Sequence, residues 1–400
     1  MSRPAFLDDP ALIAVLEALP EARVVGGAVR DALAGREVAD VDLATPRRPQ
    51  AVMAALKQAG LKAVPTGLDH GTVTAVSGGR GFEVTTLRRD VATDGRRATV
   101  AFSEDWEEDA ARRDFTINAM SMDRAGQVFD PFGGRADLAA GRVRFVGDAA
   151  TRIAEDYLRI LRFFRFWARY GTGAPDAEAM AAIRGGVGGL AMLSAERVWS
   201  ELRRILAAPD PSAAVALMAA AGVLGVVLPE GTEVARLSRL VALGAPADPL
   251  LRLAALLAEG ADLGALAARL RLSHAERDRL ARLRDPALRL PPDAGAAAIR
   301  AALVAAEGAA DVAAASWLTQ AGAPDDPAAW TALRARIAAT PVPVFGLEGR
   351  DVVALGIAPG PEVGRLLRLL REEWAADGYR ADAAALRARL QALAPPRRGR

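Results

Sequence analysis

The sequence predicts an α+β protein, with a head built on a small mixed β-sheet followed by an all-α remainder. Two observations carry this. Up to about residue 145, short β-branched runs bounded by Gly, Pro and Asp alternate with helical patterns; beyond it, apolar residues recur at helical spacing and β-branched runs thin out. The length of 400 residues and the 52% hydrophobic content allow several buried cores and exclude disorder over most of the chain.

In the head, residues 22–25, 41–45, 72–77, 82–87 and 127–130 are expected as strands. Residues 28–34 suit a short helix, and 49–59 another, with Pro49 near its start and Gly60 past its end. Residues 88–111 are densely charged and have no clean period, which predicts a mobile or functional loop. From 152 to 169, Ile153, Tyr157, Leu158, Ile160, Leu161, Phe164 and Trp167 predict one helix, with Glu155 and Asp156 in its first turn. Helical patterns continue at 195–207 and through Ala- and Leu-rich segments punctuated by proline, and residues 361–374 form a C-terminal element.

Composition excludes several chemistries. With no cysteine there is no disulfide framework, thiolate zinc site or cysteine nucleophile, and His70 and His274 are the only histidines, so any metal must be held by carboxylates. The net charge is +2, from 51 basic and 49 acidic residues, and all the basic residues but Lys57 and Lys62 are arginine. Base composition of the genome accounts for most of that excess. The first ten residues lack a basic and apolar leader, and the uncharged apolar run 213–228 is short of the ~20 residues a membrane span needs. A cytoplasmic protein with no membrane contact is expected.

The chemistry concentrates in Val24-Val25-Gly26-Gly27-Ala28-Val29-Arg30-Asp31, then Gly35-Arg36, then Asp40-Val41-Asp42-Leu43. On a strand, residues two apart share a face, so Asp40 and Asp42 present paired carboxylates suited to Mg²⁺. The glycine pair lets backbone approach a polyphosphate, with Arg30 one turn on to share its charge. Glu83, on a strand that can pair near the second, offers a third acid. His70 is assigned no chemistry.

Two further blocks follow, Arg112-Arg113-Asp114-Phe115-Thr116-Ile117-Asn118-Ala119 and Glu155-Asp156-Tyr157-Leu158-Arg159-Ile160-Leu161-Arg162 with Arg165. In this order, the three blocks resemble the class II tRNA nucleotidyltransferase (CCA-adding) and poly(A) polymerase family, within the polymerase-β-like nucleotidyltransferases. Asp130-Pro131-Phe132-Gly133-Gly134 with Leu138 resembles its hinge, Leu193-Ser194-Ala195-Glu196-Arg197 with Glu201-Leu202 its supporting helix-turn, and the 349–364 region the C-terminal segment of bacterial members. The resemblance implies a catalytic head at 1–145, a nucleotide-selecting neck at 146–207, an RNA-binding body at 208–340 and a tail at 341–400. It implies that Asp40 and Asp42 hold Mg²⁺; Glu83, placed nearby by its strand, is expected as a further catalytic acid. Gly27, Arg30, Arg113, Asp114, Asn118, Asp156, Arg159, Arg162 and Arg165 are then expected to bind nucleotide.

The function implied is template-independent addition of C, C and A to the 3′ end of tRNA from CTP and ATP, with no protein partner required. On a continuous helix Asp156 and Arg159 are i, i+3 neighbours and offer an acceptor beside a donor, which fits the pairing edges of cytosine and adenine and refuses uracil and guanine. Residues 88–111, including Asp94-Gly95-Arg96-Arg97, lie where the family has a flexible loop. His274 is followed by Ala275 with no later histidine, so no appended phosphohydrolase activity is expected. A poly(A) polymerase, an A-only or C-only adding enzyme and an inactive RNA-binding scaffold are the alternatives, the intact Asp40 and Asp42 arguing against the last.

Overall fold

The computed structural model describes residues 3–93, 98–323 and 326–393. Among these, the sheet of the head is built from β1 (Arg23–Val25), β2 (Asp42–Thr45), β3 (Lys62–Gly67), β4 (Thr72–Ser77) and β5 (Arg80–Thr86), then, past a separate hairpin of β6 (Arg88–Thr93) and β7 (Ala98–Phe102), from β8 (Ser121–Met122) and β9 (Val128–Phe129). Their order is β3-β4-β5-β2-β1-β8-β9. The β2–β5 pair is parallel and every other pair is antiparallel, so the sheet is mixed.

Alternation decides which face is covered. Leu43 of β2, Val73 and Ala75 of β4, and Phe82 and Val84 of β5 are buried in one core with Leu12, Leu16, Val52 and Leu56. The last four belong to helices α1 (Pro10–Ala18) and α3 (Pro49–Gln58); between them in the chain, α2 (Gly27–Leu33) follows β1. Pro10 and Pro49 each begin a helix, where a missing N–H costs nothing, and the Asp9 carboxylate accepts from Ala11 N–H at 3.0 Å to cap α1.

Residues 88–111 are not an irregular loop: β6 pairs with β7 and α4 (Trp106–Ala111) follows, capped by Asp105. This pair stands apart from the main sheet, so neither strand needs the alternation that marks a core strand. The expected Asp94-Gly95-Arg96-Arg97 segment lies outside the described residues.

Beyond α5 (Gly134–Ala139), the single helix expected over 152–169 is two, α6 (Ala149–Glu155) and α7 (Leu158–Tyr170). Asp156 between them is extended (φ −157°, ψ 105°), and its carboxylate accepts from Leu158 N–H at 3.1 Å. A short acid that bonds the backbone ahead of it favours such a break over a helix interior. Glu155 therefore ends α6 rather than opening a helix. α8 (Ala177–Gly186), α9 (Ala195–Leu206), α10 (Ser212–Ala220) and α11 (Val223–Val227) follow, with a left-handed Gly222 between the last two.

The segment from Asp114 to Asn118 is locked to α7 by aromatic rings. Phe115 is fully buried, with ring centroids 4.8 Å from Phe145, 6.2 Å from Phe163 and 5.3 Å from Phe166. The chain divides into two compact units, Met1–Pro229 and Glu230–Arg400. The first thus holds the expected head and neck together with the start of the expected body, because α10 packs on α7.

The second unit is helical from Val234–Ala242 to Ala383–Leu393. Its apolar clusters gather around Leu240 and Leu251, around Ile299, Trp330 and Leu333, and around Leu366, Trp374 and Leu386. No single helix among the described residues is long and apolar enough to cross a membrane.

Phe115→Ala is expected to destabilise the first unit by about 3–5 kcal/mol, because a ring with three aromatic neighbours leaves a cavity that rigid side chains cannot fill. Equilibrium urea unfolding, with β-sheet and aromatic signals followed together, checks this.

Candidate active site

The sheet face opposite α1 and α3 opens into a cleft of about 580 Å³. Asp42 reaches it because Leu43, the next residue, points into the core. The parallel register pairs Leu43 with Val84, so Glu83 stands beside Asp42 on the open face. Partial desolvation by the surrounding protein, then the charges of Glu83 and Asp40, push the Asp42 carboxyl up, while Arg113 draws it down.

Asp40 is exposed and precedes β2, which begins at Asp42, so the two aspartates do not share one strand as the sequence predicted. Asp40 is near enough to act on Asp42 but is not part of the cleft wall. Among the described residues, no three or more Asp, Glu or His side chains converge as a closed metal cage.

Next to this acid lies the glycine turn. Gly26 has φ +65°, which strains any other residue, and a Cβ there would come 3.0 Å from Arg113 Nη1 and push that guanidinium aside. Gly27 begins α2, and a Cβ on it would come 3.6 Å from Arg30 Nη2. Arg30 is 9% exposed, and its Nη1 donates to Asn118 Oδ1 at 2.6 Å. Arg113 is held by the buried Asp109 carboxylate (3.2 Å) and donates to the Asn118 carbonyl (3.3 Å). Burial pushes the Asp109 carboxyl up, but Arg112 and Arg113 outweigh it and hold it below the usual carboxylate range.

Asp114 sits at the junction of sheet and helices. It is 8% exposed, and its Oδ1 accepts from Phe115 N–H and Asn118 Nδ2, both at 3.0 Å, while Oδ2 accepts from Arg162 Nε at 2.7 Å. Burial alone would raise this carboxyl; the Arg162 charge and these hydrogen bonds bring it below its ordinary value. Both oxygens are committed to protein groups, so Asp114 holds Asn118 and Arg162 in place within the cleft wall.

The far end of the cleft is the α6–α7 break. Asp156 Oδ2 accepts from Arg197 Nη2 at 2.6 Å, across from α9. Arg159 Nη1 donates to the Arg152 carbonyl (2.8 Å) and to Glu155, which leaves its Nε and Nη2 edge to a ligand. The acceptor and donor predicted at this end are both present in the cleft, held there by Arg197 and Glu155 rather than by i, i+3 spacing on one helix.

Arg162 also lines the cleft, whereas Arg165 does not. Its Nη1 donates to the buried Glu201 carboxylate at 3.1 Å and its guanidinium lies over Phe166, 4.5 Å from the ring centre. Burial, then Arg162, lowers Arg165 to about 10. Three-residue steps carry side chains progressively round a helix, so Arg165 has turned away from the cleft that Arg162 faces.

Of the expected site residues, Gly27, Arg30, Asp42, Glu83, Arg113, Asp114, Asn118, Asp156, Arg159 and Arg162 line one cleft. Arg88, Asp109, Arg112, Phe166 and Arg197 line it as well without having been singled out as site residues. Arg197 sat in a quoted motif, and Asp109 carried the one available signal: an acid three and four residues before an Arg-Arg pair, at ion-pairing distance on a helix.

The model for the Poly A polymerase head domain matches residues 22–144, and that for the probable RNA and SrmB-binding site of polymerase A matches 174–234. The chain is 37% identical over 386 residues to the mitochondrial CCA tRNA nucleotidyltransferase 1 of Mus musculus, covering 90% of this chain and 84% of that protein. Against the CCA-adding enzyme of Geobacillus stearothermophilus the identity is 42% over 205 residues, 50% of this chain and 49% of the relative. The crystal structure of the Bacillus stearothermophilus CCA-adding enzyme in complex with CTP superposes with a TM-score of 0.77 at 29% identity, over 96% of this chain and 98% of that one. The chain belongs to the CCA tRNA nucleotidyltransferase family.

Proposed function

We propose that this chain adds C, C and A to the 3′ end of tRNA without a nucleic-acid template, taking CTP and ATP and releasing pyrophosphate. The observation that carries this is what one cleft brings together in a chain of this family. It holds acids on β2 and β5, guanidinium groups around a glycine turn, and an acceptor and a donor at the α6–α7 break.

Asp156 accepts from the exocyclic amine of cytosine or adenine, and Arg159 donates to the adjacent ring nitrogen. Uracil and guanine place a carbonyl opposite the carboxylate and an N–H opposite the guanidinium, so they would leave buried polar groups unpaired. Arg30 and Arg113 hold the triphosphate beside the Gly26–Gly27 turn. The RNA 3′ oxygen bonds to the α-phosphorus as the bond to the bridging oxygen breaks, and pyrophosphate leaves. The helices outside the cleft hold the tRNA by shape and by its phosphates.

Asp40 and Asp42, with Glu83 adjoining, are the residues that would hold Mg²⁺. Their donors are all carboxylate oxygens, which suit a hard cation, and the repulsion that raises Asp42 is what a dication relieves. When bound there, Mg²⁺ supplies activation of the attacking hydroxyl and neutralisation of the leaving phosphate.

A second reading, a poly(A) polymerase, is favoured by the match of residues 22–144 to the Poly A polymerase head domain. Sequencing the products made on tRNA lacking its 3′ end, with CTP and ATP together, is expected to give CCA and then stop; long A tracts without C would establish the second reading instead.

Asp42→Asn is expected to lower kcat by roughly 10³-fold, the scale of losing a group that organises transition-state charge. It should leave the melting temperature unchanged or higher, because it removes a carboxylate that its neighbours repel. Single-turnover kinetics with a thermal melt checks both.

Asp156→Ala and Arg159→Ala are expected to narrow the preference for CTP over UTP by roughly 10- to 100-fold, with the Mg²⁺ dependence unaltered. The ratio of kcat/KM values for the two nucleotides measures this, and an unchanged ratio would refute the assignment.

A further inference from the structure

Arg30 and Asp31 are consecutive on α2, and consecutive helix residues do not face each other. Their side chains nevertheless form a two-pronged pair, Arg30 Nε to Asp31 Oδ1 and Nη2 to Oδ2, each 3.1 Å. Something outside α2 must draw the Asp31 carboxylate round. That group is the Tyr170 hydroxyl at the end of α7, which donates to Asp31 Oδ1. The same phenol ring lies under the Arg30 guanidinium, 4.6 Å from its centre, next to Phe166 at 5.1 Å. Tyr170 therefore touches both members of the pair, one through its ring and the other through its hydroxyl.

We propose that Tyr170 is a positioning residue for the nucleotide triphosphate, setting the direction of Arg30 through Asp31; this rests on the functional reading above. Arg30 has five N–H donors. Asp31 and Asn118 take three of them, which leaves one on each Nη. Nη2 lies against Gly27, where the backbone turn meets the cleft. Without the hydroxyl, Asp31 is released to swing outward, Arg30 loses two of its three anchors, and its remaining donors lose their aim.

The geometry also closes a ring. Arg162, Phe166 and Tyr170 recur every four residues on one face of α7. Arg162 holds Asp114, Asp114 holds Asn118, and Asn118 holds Arg30. Tyr170 returns from the same helix to Asp31 and so to Arg30. The helix that begins beside Asp156 is thus tied at two points to the arginine at the phosphate end. Because the hydroxyl acts on a group that meets phosphate, its effect is common to every nucleotide the cleft accepts and independent of the base.

Tyr170→Phe keeps the ring and removes only the hydroxyl. In the full chain, KM for CTP and for ATP is expected to rise together by roughly tenfold, the scale of a hydrogen bond to a charged group, with kcat within about twofold. Product inhibition by inorganic pyrophosphate should weaken in parallel, while the ratio of CTP to UTP incorporation stays that of the parent. Asp31→Asn, which keeps an acceptor for Tyr170 but withdraws the charge from Arg30, should give the same pattern, and the double variant should be no worse than the poorer single one. KM and pyrophosphate inhibition at parent values in both variants, or an effect confined to one nucleotide or to kcat, would overturn the proposal. If the parent proved to make A tracts instead of CCA, the proposed reaction would fail, while KM for ATP and pyrophosphate inhibition would still decide the role of Tyr170.

Discussion

The buried carboxylate of Asp114 is the constraint on which the cleft depends. Taking a charge out of water costs several kcal/mol, and the cost is met only when every lone pair finds a donor and an opposite charge lies in contact. Here Arg162 comes from α7, Asn118 from the following turn and the Phe115 N–H from the chain itself. Once these donors are fixed, little else in the cleft is free. Asn118 is turned so that its oxygen meets Arg30, Arg162 is held in the wall, and the Phe115 ring is delivered into the aromatic cluster beneath α7.

Buried acids that order arginines recur through the chain and give the arginine excess a physical meaning. Asp109 lies between Arg112 and Arg113, Asp137 is approached by Arg142 and Arg144, Glu201 by Arg165 and Arg204, and Asp311 by Arg279 and Arg282. In each case one buried acid orders two guanidiniums. A planar fork loses less freedom per hydrogen bond than a lysine chain does, so arginine suits this work. Many arginines that looked compositional are therefore structural, and Arg165, expected at the nucleotide, belongs with them.

What could be read from the residues alone followed from local chemistry. Strand β4 was legible because Val73 and Ala75 alternate with polar residues, and the glycine turn because backbone at φ +65° needs glycine. Strand β3 was missed because Pro65 interrupts it. Proline is tolerated there because β3 is the edge of the sheet, with a register shift between Val64 and Gly67, and edge position is not written in sequence. The break at Asp156 was hidden because apolar spacing runs on through it. What sets the side chain there, Arg197, lies 41 residues away.

That contrast between local pattern and distant partner also bears on how far each half of the chain can diverge. Both family models end by residue 234, whereas the Mus musculus relative aligns over 90% of the chain and the fold superposes on the Bacillus stearothermophilus structure over 96% of it. The second unit is held by apolar clusters such as Ile299, Leu303, Leu333 and Ile337, where one aliphatic side chain replaces another of similar volume at small cost. The ring through Asp114, Asn118, Arg30, Asp31 and Tyr170 has no such freedom. Each member there satisfies a specific donor or acceptor on the next, so a single change strands its neighbour. Aliphatic packing therefore leaves the helical unit open to exchange among side chains of similar volume, whereas paired charges restrict what can replace the residues around the cleft.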